Sequence, residues 1–389
     1  MRLVRRVVVI GLSNIGDAVL MSPVIQRLHE RYPDARLTLF TGERAAALFA
    51  GDARVHEVVL LDDFDGGWGL IRLAWRVLAL RPNVLIDLRH TLLPLLWKPW
   101  RALRYFRQVP KTVVHMRDRH LWKLETQDAG VRGQRSEVRG QKRETTAANR
   151  PTGQPANGPT EASIWITDDD RARVRRLVER WDVKPGKRLV MICPGARSHI
   201  KRWYPERFAW VADQLITHHD AEVVFTGETD EVPIIHEVFK HMDRLAHSAA
   251  GCTTVTQLAA LLEQASLVIA NDTATLHVAG AVGVPTLAIF GPTSPRKYGP
   301  VGPRARVIQR RLFCVPCQQA LCRFNHECMR FISADEVYRA ASQMLGGAQA
   351  TSDRAGGPAH CGRGGEEVPH ADERAADQRR ATKSAEGSP

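Results

Sequence analysis

The stretch that most constrains this chain is residues 266–294, SLVIANDTATLHVAGAVGVPTLAIFGPTS. An apolar run from Leu267 to Ala270 stops at Asn271-Asp272-Thr273, and a helix of small residues follows from Ala274 to Val282. Gly283 and Pro285 then lead into a second apolar run, Thr286 to Phe290. The pattern is strand, polar turn, helix, turn, strand, which is one βαβ unit. Its polar residues stand where strand becomes helix, so unpaired backbone N–H groups and the positive end of the helix dipole face whatever binds there. A phosphate-bearing ligand suits that position. Thr273 is also a normal helix cap, which would be a purely structural role. His277, four residues on, shares its helix face.

A second segment, RRVVVIGLSNIGDAVLMSPVIQRLHERYP, has the same grammar. A strand over 6–10 enters a turn with Gly11 and Gly16, and an amphipathic helix over 16–30 follows. The glycines permit a tight turn and a close backbone approach. Asp17 sits at the helix start, beyond the carboxyl end of the strand, where open α/β sheets place their chemistry. An acid in a first helical turn is also a common dipole partner, so residue type alone leaves both roles open.

Further strands are expected at 36–40, 55–60, 83–87 and 111–114, with helices near 43–50, 68–80 and 92–107. The second half begins with a charged helix over 168–181. Strands at 188–193, 221–226, 267–270 and 286–290 alternate with helices, and a last helix lies near 334–345. This alternation predicts α/β architecture with parallel, doubly wound sheets. The expected division is 1–165, 166–345 and a tail over 346–389. Residues 131–162 hold a seven-residue near-repeat, VRGQRSE-VRGQKRE, followed by Pro, Gly, Asn and Thr. Both that insertion and the tail lack apolar periodicity and are expected to be disordered.

The chain has 389 residues, enough for two ordinary domains, with 44% hydrophobic residues to build their cores. No segment approaches the ~18–20 apolar residues of a membrane span, and the short apolar start does not read as a signal peptide, so a cytoplasmic location is expected. Net charge is +13. Residues 97–123 carry eight Lys/Arg against one acid, and Lys98, Arg101, Arg104 and Arg107 alternate with Leu96, Trp97, Trp100, Leu103 and Phe106. The 92–107 segment therefore reads either as a basic amphipathic helix lying on the inner membrane face or as a surface helix with a buried stripe.

Four blocks, SNIGDAVLMSPVI near the N-terminus, PGARSHIKRWYPERFAWVADQL at 194–215, FTGETDE at 225–231 and NDTATLHVAGAVGVPTLAIFGPTSPRKYGP at 271–300, resemble glycosyltransferase family 9 in order and spacing. This is the family of ADP-heptose:lipopolysaccharide heptosyltransferases. The resemblance covers about residues 1–125 and 163–345. It implies a GT-B architecture, two Rossmann-like domains facing a cleft, with donor on the second domain and acceptor on the first. It implies inverting transfer of heptose or a related sugar from ADP-heptose to an anionic lipopolysaccharide-core glycolipid. Asp17 aligns with the general base. Lys201 matches the lysine that meets the leaving diphosphate, whereas from residue type alone Arg197, Lys201 and Arg202 could all be surface charges. Gly16, Arg197, Asp272, Thr273, Ala274 and His277 fall on the donor side. Ala274 replaces the glycine usual in the family. Glu228 is the candidate partner of the ribose hydroxyls, with Glu231 as its competitor.

On the acceptor side, Arg89, His90, His115, Arg117 and Arg119 have the chemistry to grip phosphates or carboxylates. No Asp-x-Asp pair stands at a strand end, so no metal cofactor is expected for transfer. Cys314, Cys317, Cys322 and Cys328, with His326 among them, are dense enough for a structural zinc or iron–sulfur site; their intervals are tighter than a two-knuckle zinc pattern, and reduced thiols are the alternative. The competing functions are a GT-B-like nucleotide-sugar epimerase, an inactive homologue and a basic nucleic-acid binder. The last lacks the expected aromatic or helix-turn-helix signals, so no nucleic-acid partner is expected.

Overall fold

The computed structural model describes residues 4–128, 162–183, 186–317, 319 and 321–352. The first sheet has the order β3-β2-β1-β4, built from β1 (Arg6–Ile10), β2 (Arg36–Thr41), β3 (Glu57–Leu60) and β4 (Val84–Asp87). The second has the order β10-β9-β8-β5-β6-β7, from β5 (Arg188–Cys193), β6 (Ala221–Phe225), β7 (His247–Ser248), β8 (Leu267–Asn271), β9 (Thr286–Phe290) and β10 (Ala305–Gln309). Among the described residues every pairing is parallel. The architecture is α/β and corresponds to the GT-B expectation.

Continuous apolar runs form these strands because both faces are covered. Val7 and Val9 join one apolar cluster, while Val8 and Ile10 join another on the opposite face. In β5, Met191 and Cys193 belong to the first of these clusters, and Val190 and Ile192 to a third. One cluster therefore runs beneath both sheets, through the helices Ile15–Arg31 and Ala274–Val282.

The strand order reverses at β1 in the first sheet and at β5 in the second. At such switch points neighbouring connections depart to opposite faces and leave a crevice at the carboxyl ends. The Gly11–Asp17 turn follows β1, and the Pro194–Lys201 loop follows β5.

Several expectations need correction. Residues 111–114 form no strand but a turn leading to a helix, Met116–Asp128, that apolar periodicity did not reveal. The 92–107 segment is not one helix. A helix over Leu93–Trp97 stops at extended Lys98, and a 3₁₀ segment, Pro99–Arg104, follows. A residue before proline is driven out of the helical region, which breaks the element there. The helix expected at 43–50 shortens to Glu43–Ala46. Strands β7 and β10 were not anticipated.

Of the expected insertion, 131–161 lies outside the described residues. Its last residue, Ala162, is buried in the apolar cluster shared by both sheets, together with Ile164 and Ile166. The final helix, Ala334–Ser352, runs past the expected boundary at 345, and the tail from 353 lies outside the described residues.

Candidate active site

Two helix starts meet between the sheets. Gly16 in the first turn of Ile15–Arg31 lies so close to Ala274–Val282 that a Cβ there would stand 2.8 Å from His277 Cδ2. Only glycine permits that approach without displacement of the imidazole. Asp17 is held from its own turn, its Oδ2 accepting from Asn14 Nδ2 at 3.2 Å. Asn14 Oδ1 in turn accepts from Arg197 Nη1 at 3.0 Å, so a chain of polar contacts links Asp17 to the loop of the other sheet.

Lys201 closes a short 3₁₀ turn, His199–Lys201. Buried Asn271 at the end of β8 shapes this loop. Its Nδ2 donates to the Pro194 carbonyl at 2.8 Å and its Oδ1 accepts from Trp203 N at 3.2 Å. The Lys201 ammonium thereby reaches Asp272, with Nζ 2.7 Å from Oδ2. Thr293 Oγ1 donates to the same oxygen at 2.6 Å. Asp272 is only 7% exposed, so its charge needs these partners. Thr273 is extended and makes no side-chain cap, contrary to the structural role it might have filled, while Leu276 N donates to its carbonyl at 3.2 Å.

Gly16, Asp17, Arg197, Lys201, Glu228, Asp272, Thr273, Ala274 and His277 line one cavity of about 680 Å³. Its size is that of an ordinary small-ligand site. His277 is buried and its Nδ1 has no hydrogen-bond partner among the described residues. Burial pulls its pKa down to about 4, against the attraction of Asp272 and Asp17, so at neutral pH it is an uncharged imidazole.

The two acidic candidates separate by environment. Glu231 packs under the Pro194–Lys201 loop, where a Cβ on Gly195 would lie 2.1 Å from its Oε1, and it accepts from Glu228 N at 2.9 Å. Burial holds its carboxyl above the usual range. Both glutamates line the cavity, but Glu228 forms an ion pair with Arg44 of Glu43–Ala46, an element of the first sheet's side. Arg44, Asn14, Asn271 and Thr293 were missed from sequence. Asn14 sits within SNIGD and was within reach of that reading, while Arg44 carries no local signal.

The glycosyltransferase family 9 (heptosyltransferase) model matches residues 141–327. Just under half of the chain is thus similar to that family. The chain is 28% identical over 168 residues to lipooligosaccharide heptosyltransferase 2 of Campylobacter jejuni, a match covering 42% of this chain and 53% of that protein. The chain thus spans about half the length of that relative. With lipooligosaccharide heptosyltransferase 2 of Haemophilus ducreyi, identity is 23% over 360 residues, covering 87% of this chain and 99% of the relative. Its fold matches the structure of the Escherichia coli ADP-heptose lipopolysaccharide heptosyltransferase II with a TM-score of 0.66 at 20% identity, over 88% of this chain and 99% of that one.

None of Arg89, His115, Arg117 or Arg119 lines the 680 Å³ cavity. Arg89 Nη1 donates to Ser13 Oγ at 3.1 Å, in the loop that precedes the helix bearing Asp17. His115 Nε2 lies 3.2 Å from the Gly299 carbonyl and so bridges to the second sheet's side, next to cavity residue Tyr298. Burial lowers the His115 pKa. Arg117 is paired with Asp118, and Arg119 donates to the Val113 carbonyl at 3.2 Å. The sequence reading missed a buried polar group beside them. Lys123 Nζ donates to the Leu88 carbonyl at 2.7 Å and is pulled down to about 8 by burial, near Asp87, whose carboxyl burial pushes up.

Cys314, Cys317, Cys322 and Cys328 line a separate cavity of about 280 Å³ with His326 and Ile200. All four thiols are unbridged. Burial, then the neighbouring sulfurs, push Cys328 up to about 11. Among the described residues no three His, Cys, Asp or Glu side chains are grouped as metal ligands.

Proposed function

We propose that this chain moves a heptose, or a closely related sugar, from ADP-heptose to an anionic lipopolysaccharide-core acceptor in a single inverting displacement. The observation that carries the reading is the meeting of Asp17, the Lys201–Asp272 pair and the start of Ala274–Val282 in one cavity between the two sheets. The family's relatives named as heptosyltransferases support the sugar and the acceptor class.

Asp17 accepts the proton of the acceptor hydroxyl as its oxygen attacks the anomeric carbon, and the bond from that carbon to the diphosphate breaks. Negative charge then grows on the departing diphosphate. The Lys201 ammonium and the backbone N–H groups at Ala274 are fixed before the reaction, so they stabilise that charge without reorganising. Arg197 extends the positive wall. Glu228 takes the ribose hydroxyls once it leaves Arg44. No step draws on a metal, because the carboxylate at the diphosphate end, Asp272, is already engaged by Lys201 and Thr293. The thiol cavity is structural in this reading, with its thiols reduced.

Acceptor binding falls to the side of the cleft near Arg89 and His115, and the reaction takes place at the cytoplasmic face of the inner membrane. Among the described residues no helix is long and apolar enough to cross a membrane, so this placement implies peripheral contact.

The test is isothermal titration with ADP, UDP and GDP, with and without EDTA, followed by transfer from ADP-heptose to core acceptors. Selective ADP binding that EDTA does not change is expected. A preference for UDP or GDP would overturn the donor, and transfer that stops with EDTA would overturn the metal-free mechanism.

A further inference from the structure

The first sheet's side carries an apolar surface larger than the 92–107 segment alone. The helix Gly69–Ala79 is apolar on two sides. Its inner stripe, Leu73, Ala74 and Val77, is committed to the core. Its outer stripe of Trp68, Ile71 and Trp75, at helical spacings of three and four, faces solvent, with Trp68 75% and Trp75 72% exposed. Leu93 packs into the same core cluster as Leu73 and Val77, so the two segments are neighbours. Beyond it Leu92, Leu96, Trp100, Leu103 and Phe106 are also exposed, Trp100 at 76% and Leu103 at 83%. Soluble surfaces rarely gather three exposed tryptophans with this many aliphatic residues.

The Leu92–Phe106 side of the patch is rich in cations, whereas the exposed Asp62, Asp63 and Asp65 lie close in sequence to Trp68. Arg72 donates to the Asp63 and Asp65 backbone carbonyls and, among the described residues, forms no ion pair. The Lys98 ammonium lies 3.9 Å over the Trp97 ring. Between Asp87 and Asp118 the sequence has no acid, but has Arg89, Lys98, Arg101, Arg104, Arg107, Lys111 and Arg117. Asp62, at the near edge, turns its carboxylate to Glu43 N at 2.7 Å.

We infer that Trp68–Trp75 and Leu92–Phe106 together form a surface that inserts into an anionic lipid bilayer. Exposed tryptophans suit a boundary between apolar chains and polar headgroups, and the cations of the Leu92–Phe106 side suit anionic lipid. A second copy of the chain is the poorer occupant, since a two-fold contact would set these cations against themselves. Placement fits as well. The strands are parallel, so β3 and β4 deliver both segments from the same edge of the sheet at which β1 delivers Asp17. This inference deepens the proposed transfer, because a lipid-linked acceptor resting in the same bilayer would meet the cleft from that edge.

The test uses the full chain with phosphatidylcholine vesicles, with and without phosphatidylglycerol, and the triple variant Trp75→Ser/Trp100→Ser/Leu103→Ser. All three side chains are exposed, so the fold should survive. Co-sedimentation with phosphatidylglycerol vesicles is expected, about tenfold or more weaker for the variant. Brominated acyl chains should quench wild-type tryptophan fluorescence. Absence of vesicle binding, or equal binding by the variant, overturns the proposal. A wild-type dimer that the variant dissociates, with no vesicle binding, reassigns the patch to a contact between copies. ADP titration of the same samples separates the two readings. Vesicle binding without ADP binding would keep the lipid surface and remove the transferase.

Discussion

The Lys201 ammonium is held 2.7 Å from the carboxylate of Asp272, a residue 71 positions away and 7% exposed at the start of a helix. The pairing fixes the cation where a diphosphate would meet the helix N-terminus, and it keeps a buried carboxylate neutralised while the cavity is open. In the proposed transfer the same contact would serve both stability and electrostatic preorganisation, and variants can separate the two.

Lys201→Ala should lower turnover by about 10²–10³ as a charge stabiliser is lost. It should also lower the melting temperature, because Asp272 is left buried without its cation. Adding Asp272→Asn to that variant should restore much of the melting temperature but not the rate. Recovery of both would show that Lys201 acts on structure alone.

Asp17→Asn preserves shape and removes the base. Turnover should fall by about 10²–10⁴, with ADP affinity changed little, as read by steady-state kinetics and isothermal titration. Undiminished transfer would take Asp17 out of the chemistry.

Arg44 and Glu228 are about half exposed, at 51% and 47%, so their ion pair contributes little to stability. Arg44→Ala should leave the melting temperature nearly unchanged and tighten ADP binding, because Glu228 no longer has to exchange partners. Glu228→Gln should weaken ADP binding by about tenfold, the value of one hydrogen bond to a charged group. If neither variant moves the dissociation constant, Glu228 does not meet the ribose.

Burial depresses His277 to about 4 and His120 to about 3, from an ordinary 6.5. Both ring nitrogens of His120 lack partners among the described residues. The unfolded chain then binds more protons than the native one below the ordinary imidazole value. Stability is full above that value and declines as pH falls towards the folded values. Asp87, raised by burial, works in the opposite sense over the carboxylate range. The histidine slope is therefore best read between about pH 5 and 6.5. Thermal melts over that window should show a falling melting temperature, and His120→Leu should flatten the slope. An unchanged slope would mean that His120 does not stay neutral in the fold.

The candidate site was legible where strand and helix meet within a single motif. SNIGD and NDTA each place polar residues and a helix start in consecutive positions, and local backbone geometry then dictates where they point. Glu228 and Glu231 could not be told apart in this way. They are three residues apart in one turn, and only packing against Gly195 and across to Arg44 distinguishes them. The helix Met116–Asp128 escaped notice because its buried positions include His120, Lys123, Gln127 and Asp128, so it has no apolar stripe to read. The edge strand β10 is largely solvent-facing and equally unmarked.

Sequence alone determined the parallel strands and the two polar strand-to-helix turns. Both follow from short-range patterning, since continuous apolar runs need two covered faces and small or polar residues are required where chains turn tightly. Tertiary structure decided which charges meet. The Asn14–Arg197 contact, the Arg44–Glu228 pair and the Gly16–His277 approach join positions more than 180 residues apart. Those contacts depend on how the two sheets settle over their shared apolar cluster, and no local propensity encodes that arrangement.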